Sequence, residues 1–330
     1  MFKLPVLYSL LQLYAVVNAS AVVRRDTLYQ PLSTRCSVSD PPPAYHKSLR
    51  YFDEQERQST ALWNSTSVER LLLDPLKRLF DRETAIQVDT YIHVVSTNSS
   101  SQPGSEGYVS ELQLINTFAY LGNSFNRTAI NFNLKNITRT VNDTWAVNGD
   151  DLTMKTALRQ GSYSSLNIYY QSKLDRSGSM LGFSTLPKDY ANVTSSDFIT
   201  DGCNILASTV AGGTETDFDE GATTVHEVGH FFGLLHTFEG NTCSKDSWGD
   251  YVSDTPQQRD ATVGCPQYQD TCPVSGISIT SSRVPGPQGY AGPDPVHNFM
   301  DYSTDACLTE FTPGQTARML NMWEQYRKGR

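Results

Sequence analysis

One run constrains this chain more than any other, and it reads His226-Glu227-Val228-Gly229-His230-Phe231-Phe232-Gly233-Leu234-Leu235-His236. His226 and His230 are four positions apart, so a helix places both imidazoles on one face, where their neutral nitrogens can reach one Zn²⁺ at roughly 2.0–2.1 Å. Gly233 can adopt a positive φ, which would end the helix and bring His236 back as a third ligand. Three protein ligands leave one coordination position open, which is typical of catalytic zinc.

Glu227 directly follows the first of these histidines and is expected to face the open position. A carboxylate there can accept the proton of an attacking water and then deliver it to a leaving amine. The alternative is a core helix that carries histidines by chance. It is disfavoured because the glycine and the third histidine also stand at fixed offsets. The pattern predicts a zinc peptidase with Glu227 as its general base.

The spacing HExxHxxGxxH is the metzincin signature, and the flanking residues narrow the match. His236 is followed by Thr237-Phe238-Glu239-Gly240 and then Cys243, and a second motif reads Asn298-Phe299-Met300-Asp301-Tyr302-Ser303, followed by Cys307 and Phe311-Thr312-Pro313-Gly314-Gln315. Together they resemble the pappalysin family, most closely its secreted single-domain fungal members. The resemblance implies that Met300 is the Met-turn residue beneath the zinc ligands and that Tyr302 stabilises the oxyanion. It also implies an upper sub-domain that ends at the zinc helix, a lower one that carries the Met-turn, and a substrate cleft between them.

The N-terminus indicates a secreted protein. Residues 1–19 combine Lys3, a short apolar run and small residues near position 19, which is the pattern of a cleaved signal peptide. No later apolar run is long enough to span a membrane. An even number of cysteines suits an oxidising compartment, and six Asn-x-Ser/Thr sequons predict a glycoprotein: Asn64, Asn98, Asn126, Asn136, Asn142 and Asn192. The net charge of −9 without a basic patch disfavours binding to nucleic acids and to anionic membranes.

Residues 20–77 form an irregular segment with two interpretations. It contains Arg24-Arg25, a proline run at 41–43 and a candidate amphipathic helix at 67–73. The preferred interpretation is an inhibitory pro-segment removed at Lys77-Arg78, which leaves 78–330 as the catalytic domain. The alternative is an N-terminal arm that the mature protein retains.

Hydrophobic periodicity predicts an α/β fold with a twisted, mostly parallel mixed sheet. Strands are expected at 86–95, from 130 to 134, at 166–170, 181–184 and 204–208. A helix capped by Ser110 is expected to bury Leu112, Ile115, Ala119 and Gly122, and 154–159 reads as helical. Thr223 or Thr224 is expected to cap the zinc helix, and Thr312 with Pro313 to begin a terminal helix.

The loop-rich segment from 239 to 295 cannot bury enough apolar surface to hold itself, so Cys243, Cys265, Cys272 and Cys307 are expected to form disulfides. The residues alone allow three pairings. The family resemblance implies Cys243–Cys272 and Cys265–Cys307. For Cys36 and Cys203, a disulfide between them is preferred. The alternative is that Cys36 supplies a thiolate at the open zinc position of a latent form.

Two further hypotheses concern acidic residues. Asp305 could line the pocket for the residue after the scissile bond and favour Arg or Lys there; the alternative is an ordinary turn residue. Asp246, Asp250, Asp254 and Thr255 offer oxygen ligands for a calcium ion, which the family resemblance supports. Their spacing fits no EF-hand, and the alternative for each residue is an ordinary solvated surface position.

Taken together, these features predict a secreted, monomeric zinc endopeptidase that acts on proteins or peptides. The rival is a secreted binding protein that retains the fold without turnover. It is disfavoured because the base, the three histidines, Gly233, Met300 and Tyr302 are all intact.

Overall fold

The structure is a computed structural model that describes residues 36–37, 41, 43–63, 85–105, 107–189, 193–244, 247–273 and 292–330. The expected signal peptide, the candidate helix at 67–73 and the cleavage site at Lys77-Arg78 lie outside these residues. Residues Leu32–Arg330 form one compact unit by their contacts. None of the described helices is long and apolar enough to cross a membrane.

From residue 86 onward, helices and strands follow the order that the sequence predicts, apart from an additional short helix at 195–200. The strand at 36–37 and the helix at 43–63 were not predicted. The strands are β1 (Cys36–Ser37), β2 (Ile86–Ser96), β3 (Ile130–Val141), β4 (Leu166–Gln171), β5 (Gly182–Ser184) and β6 (Cys203–Leu206). The helices are α1 (Pro43–Trp63), α2 (Glu111–Ser124), α3 (Asp151–Leu158), α4 (Ser195–Thr200), α5 (Ala222–Phe231) and α6 (Pro313–Met322), and a π-helical turn (Trp323–Arg327) continues α6.

The strands form one mixed sheet in the order β1-β5-β6-β4-β2-β3. All neighbouring pairs are parallel except β5 and β6, which are antiparallel. The central strands β4 and β6 are buried along their whole length, as expected for strands covered on both faces. The α/β class and the mostly parallel sheet are therefore confirmed.

Helix α2 buries a different face from the one predicted. Leu114, Thr117 and Leu121 are buried, whereas Leu112 and Ile115 are 67% and 48% exposed. Both sets have helical spacing, so periodicity alone could not choose between them. The choice depends on the packing of α2 against α5, which is a tertiary contact.

The start of α5, the predicted zinc helix, also differs from the expectation. Its N-cap is Gly221 at φ 99°, and Thr223 and Thr224 lie inside the helix. Asp305 supplies the cap from a distant part of the chain, because its Oδ2 accepts from the backbone N–H groups of Glu220 (2.9 Å), Gly221 (3.1 Å) and Ala222 (3.2 Å). The positive end of the helix dipole also stabilises the negative charge of a carboxylate at this position.

The C-terminal helix is tied to the rest of the domain by a buried arginine. As predicted, Thr312 caps α6 and Pro313 occupies its first turn. Beyond it, Arg327 is fully buried and donates to both carboxylate oxygens of Asp201, at 3.0 and 2.9 Å. Its Nε also donates to the carbonyl of Phe231, the last residue of α5 (3.0 Å). The end of the chain therefore stabilises the C-terminal end of the zinc helix.

Replacing Arg327 with Ala should lower the free energy of unfolding by roughly 3 kcal/mol, because it leaves the buried Asp201 charge with a weaker set of partners. The control is Lys328→Ala, since Lys328 pairs with Glu324 on the exposed surface and should change stability by only about 0.5 kcal/mol. Urea unfolding of the three proteins measures both effects. Equal stability of the two variants would contradict this assignment.

Candidate active site

Three imidazoles converge at the C-terminal end of α5. His226 and His230 lie one turn apart on α5, and Gly233 then reverses the chain at φ 90°. This turn brings His236 to the other two, and the Nε2 atom of His230 lies 3.1 Å from that of His226 and 3.2 Å from that of His236. All three side chains are buried or nearly so.

The hydrogen bonds on the far side of the rings determine which nitrogens point at one another. His226 Nδ1 bonds to the carbonyl of Phe299 and His230 Nδ1 to that of Leu234, both at 2.7 Å. A carbonyl only accepts, so each Nδ1 carries the proton and each Nε2 presents a lone pair to its neighbours. Burial lowers the pKa of His226 to about 3, so the ring is neutral.

This arrangement fits a zinc ion. The bare lone pairs of His226 and His230, 3.1 Å apart, repel one another unless a cation lies between them. A tetrahedral Zn²⁺ with ligands at roughly 2.0–2.1 Å would place them about 3.3 Å apart. The carbonyl partners are the outer hydrogen bonds that orient metal-binding histidines in other proteins. His226, His230 and His236 are therefore the residues that would hold the metal.

The Glu227 carboxylate is buried next to this cluster, and in the part of the chain that the structure describes neither of its oxygens has a hydrogen-bond partner within bonding geometry. Burial raises the pKa of this carboxyl to about 7, although the nearby Cys36 and Ser184 side chains oppose the shift. Gly182 of β5 lies against it, because a Cβ at this glycine would come within 2.5 Å of Glu227 Oε1. Gly182 thus leaves space that the carboxylate occupies.

Met300 lies beneath the histidines, as the family resemblance implies. It is completely buried, and any side chain at Gly229 of α5 would collide with its Sδ. The turn that carries Met300 is held by a reciprocal amide pair, because Asn298 and Gln315 donate to each other at 2.8 and 3.0 Å. Asn298 Oδ1 also accepts from the Met300 backbone N–H (2.9 Å). The pair connects the turn to α6.

Tyr302 contacts both the histidines and the N-terminal strand. Its hydroxyl lies 3.3 Å from His236 Nε2, which puts it beside the point where the lone pairs meet. The same hydroxyl donates to the Cys36 carbonyl and accepts from the Cys36 N–H, both at 3.0 Å. In this structure, therefore, Tyr302 binds the backbone of β1.

Cys36 completes the cluster. Its Sγ and one ligand atom from each of the three histidines all lie within 4.8 Å of one another, which makes four buried groups with metal-binding chemistry. This is the set of donors that the latent-form hypothesis requires. The strand that carries Cys36 pairs with β5 at the edge of the sheet next to the histidines.

The preferred disulfide between Cys36 and Cys203 is contradicted, because both residues are free thiols. The reason is their position in the sheet. Cys36 lies on β1 and Cys203 on β6, and β5 separates the two strands. Strands two places apart are about 9–10 Å apart, whereas a disulfide requires Cα atoms within about 7 Å. Cys203 instead points to the backbone carbonyl of Glu227 (3.5 Å).

Asp305 lines a cleft beside Glu227, together with Leu181, Phe218, Thr223 and Leu308. Its Oδ2 is occupied by the N-terminus of α5, as described above. Burial raises the pKa of Asp305 to about 6, although the backbone N–H groups oppose the shift. The residue is thus more than a turn residue, and its role toward substrate stays a prediction.

The disulfide Cys243–Cys272 lies within the loop-rich segment, and the disulfide Cys265–Cys307 ties that segment to the chain after Met300. Of the candidate calcium ligands, Asp246 lies outside the described residues. Asp254 accepts from Gly314 (2.8 Å) and from Thr312 (2.6 Å) at the start of α6, and Asp250 accepts from Val252 (3.0 Å) and Thr255 (2.7 Å). These carboxylates therefore have structural partners, and the calcium site stays a prediction.

Several residues of the site were missed by the sequence analysis. Gly182 and Ser184 carry no pattern of their own, since they become important only when β5 lies against α5. Asn298 and Gln315 stand within the second motif, but their pairing joins residues seventeen positions apart. Cys36 could be singled out in the sequence as a cysteine upstream of the histidines. The choice between its two interpretations, however, required the order of the strands in the sheet.

Comparisons with known proteins agree with this geometry. The sequence profile of the pregnancy-associated plasma protein-A peptidase family matches residues 153–324. An extracellular metalloprotease of Aspergillus fumigatus is 36% identical over 352 aligned residues, which cover 98% of each chain. Extracellular metalloprotease 1 of Coccidioides posadasii is 41% identical over 76% of this chain and 81% of its own.

Among solved structures, mature mirolysin of Tannerella forsythia in complex with a cleaved peptide is similar, with a TM-score of 0.55 and 27% identity over 72% of this chain and 92% of that one. A promirolysin mutant from the same organism has a TM-score of 0.53 and 25% identity over 78% and 92% of the two chains.

Gly182→Ala should reduce peptide hydrolysis about a hundredfold while leaving zinc content unchanged, because the three atoms nearest to the new methyl group all belong to the Glu227 side chain, which must move. Gly122→Ala is the matched control, since a Cβ at that helical glycine meets no atom within 4 Å. Steady-state kinetics and metal analysis of both variants test this. Full activity of Gly182→Ala would show that the close approach has no effect on catalysis.

Proposed function

Because the chain belongs to the pappalysin family of metalloproteases, we propose that it is a secreted endopeptidase in which Glu227 is the general base of peptide-bond hydrolysis. That it is a zinc metalloendopeptidase follows from its family and relatives. The observation that carries the finer assignment is the buried Glu227 carboxylate, whose oxygens have no partner in bonding geometry among the described residues, beside the three converging histidine Nε2 atoms.

Each group of the site has a role in this mechanism. Zinc, when bound, supplies a Lewis acid that activates water and polarises the scissile carbonyl. Glu227 accepts the proton of the attacking water and transfers it to the leaving amine. Tyr302 donates a hydrogen bond to the oxyanion once its hydroxyl is released from Cys36. The Nδ1–carbonyl bonds keep His226 and His230 oriented throughout.

The edge of β5 is proposed as the position of the substrate backbone. In this structure β1 lies on that edge in a parallel register, with Cys36 opposite Gly182. The Cys36 backbone also occupies the Tyr302 hydroxyl, and its thiol lies among the metal-binding groups. A chain in this arrangement is latent, because substrate, water and oxyanion would all compete with residues of β1.

Secretion is supported by the expected signal peptide and by relatives that are named extracellular. Of the six sequons, Asn98, Asn126 and Asn136 are exposed, so they are accessible for glycosylation. Asn64 and Asn192 lie outside the described residues.

Glu227→Ala should reduce cleavage of casein and of a peptide library by at least about a hundredfold, because it removes the proton acceptor. Zinc content should remain one equivalent, since no metal ligand is changed. A zinc chelator should abolish wild-type activity, and added zinc should restore it. A wild-type chain that binds one zinc but cleaves nothing, even after trimming to Arg78, would instead favour the binding protein.

Cys36→Ser should raise the activity of the uncut chain at least tenfold, because a hydroxyl is a much poorer zinc ligand than a thiolate. Cys203→Ser is the matched control: it changes the other free thiol, which lies outside the cluster of metal-binding groups. Equal activity of the two variants and the wild type would contradict latency through Cys36.

Asp305→Asn should reduce the preference for Arg or Lys after the cut about tenfold, because it removes the charge and keeps an oxygen for the N-terminus of α5. Asp305→Ala should show the same loss and should also lower the free energy of unfolding by about 1 kcal/mol through the lost cap. Library profiling and urea unfolding separate the two roles. An unchanged preference in both variants would leave Asp305 with the cap alone.

A further inference from the structure

Helix α1 lies in the segment that the sequence analysis assigned to a pro-segment or arm, yet it packs closely on the catalytic domain. Its residues Tyr45, Leu49 and Phe52 are buried at helical spacing. They form one apolar cluster with Leu186, Leu235, Met322 and Tyr326. The apolar face of α1 is therefore buried against α6 and against the chain that follows the zinc helix.

The next position on the same face of α1 carries a charge instead of an apolar group. Glu56 is 6% exposed and forms a two-pronged ion pair with Arg318 of α6, with Nε–Oε1 at 3.2 Å and Nη2–Oε2 at 3.1 Å. Asn321 also donates to Glu56 Oε1 (3.0 Å). This pair lies in the interior and not at the rim of the contact.

Arg318 depends on α1 for most of its partners. It is completely buried, and its other hydrogen bonds go to the carbonyls of Leu49 (3.4 Å) and Tyr251 (2.5 Å). If α1 left, Tyr251 would be the one hydrogen-bond partner that remains among the described residues, with the buried Asp250 carboxyl group nearby. Breaking a buried ion pair by removing one partner is strongly unfavourable, because the other charge stays desolvated.

Helix α1 also supports the loop of the metal-binding histidines. The Tyr45 hydroxyl donates to the carbonyl of Gly233 (3.3 Å), the residue that reverses the chain between His230 and His236. A Cβ at Gly233 would come within 3.0 Å of this hydroxyl and within 2.6 Å of Met322 Cγ. The contact surface of α1 thus reaches the back of the site, while Cys36 is at its front.

We propose that α6, with Leu235 and Leu186, is a docking site for α1, and that the segment from Cys36 to Trp63 stays bound as a separate chain after a cut between α1 and β2. The Glu56–Arg318 pair and the three apolar side chains supply the affinity. Each buried side chain of this size typically changes a dissociation constant about tenfold or more. Five residues separate Ser37 from Pro43, so a docked α1 keeps Cys36 close to the histidines.

A single cut between α1 and β2 therefore does not activate the protein. Activation requires that α1 is also released from α6. This consequence rests on the proposed latency through Cys36, whereas the retention of the segment does not.

Retention is measured on the full chain with the sequence of a site-specific protease placed between Trp63 and Ala85, in a Glu227→Ala background that prevents self-cleavage. After cutting, gel filtration at micromolar concentration separates bound from free segment. We expect the parent to retain the segment and Glu56→Gln to release it, with a dissociation constant raised about a hundredfold. Glu54→Gln makes the same charge change on the exposed side of α1 and should retain it.

Cys36→Ser distinguishes anchoring by α1 from anchoring by the thiol. The cut Cys36→Ser chain should retain the segment as the parent does. Release from the cut parent, release from Cys36→Ser, or equal retention in Glu56→Gln would each overturn the proposal. If Glu56→Gln fails to fold, Leu49→Ala provides the same comparison through the apolar cluster, with the same expected release.

The same cut in chains with Glu227 intact tests the consequence for activity. The cut parent should stay latent and the cut Glu56→Gln chain should become active. If the proposed role of Cys36 is wrong, the uncut Cys36→Ser chain will be no more active than the uncut wild type. Retention of the segment would still be measured independently in the inactive background.

Discussion

The geometry of the site depends on the two hydrogen bonds that fix the tautomers of its histidines. His226 Nδ1 and His230 Nδ1 donate to the carbonyls of Phe299 and Leu234, so their Nε2 lone pairs face one another and require a cation. One of these carbonyls belongs to the segment just before Met300 and the other to the turn after α5. The metal site can therefore form only when the two halves of the domain are assembled.

Two further contacts hold the halves together at the zinc helix. Asp305, from the C-terminal half, caps the start of α5, and Arg327 binds the carbonyl at its end. Between them, Met300 packs against Gly229. The helix is thus held at both ends and along one side by residues that lie 69 to 96 positions beyond its last residue, Phe231, and its histidines have little freedom to move.

Much of the site could be predicted from the sequence because its ligands lie within one helix and one turn. The spacing of His226 and His230, and the glycine that allows His236 to return, are local properties of the backbone. Strands β2 to β6 were predicted for the same reason, since their period is local, whereas the two-residue β1 was not. What could not be predicted depends on contacts between distant segments. The cap of α5, the buried face of α2 and the separation of Cys36 from Cys203 are each decided by which elements become neighbours.

Helix α1 is a further example of a contact that the sequence alone could not predict. Tyr45, Leu49, Phe52 and Glu56 share one face, but a stripe that ends in a carboxylate looks like a weak amphipathic helix until Arg318 is found opposite it. The Glu56 charge weakens the amphipathic pattern in the sequence, yet it is the group that makes the contact between α1 and α6 specific. The N-terminal segment is consequently bound to the domain at two places, with Cys36 at the front of the site and α1 behind it.

The most direct test of this account is X-ray absorption at the zinc edge on the full-length, uncut chain loaded with one equivalent of metal. The account predicts three nitrogen ligands at roughly 2.0–2.1 Å and one sulfur at roughly 2.3 Å, with the sulfur lost in Cys36→Ser. A spectrum with several sulfur ligands, or with fewer than three histidine nitrogens, would contradict the three-histidine site on which everything else depends.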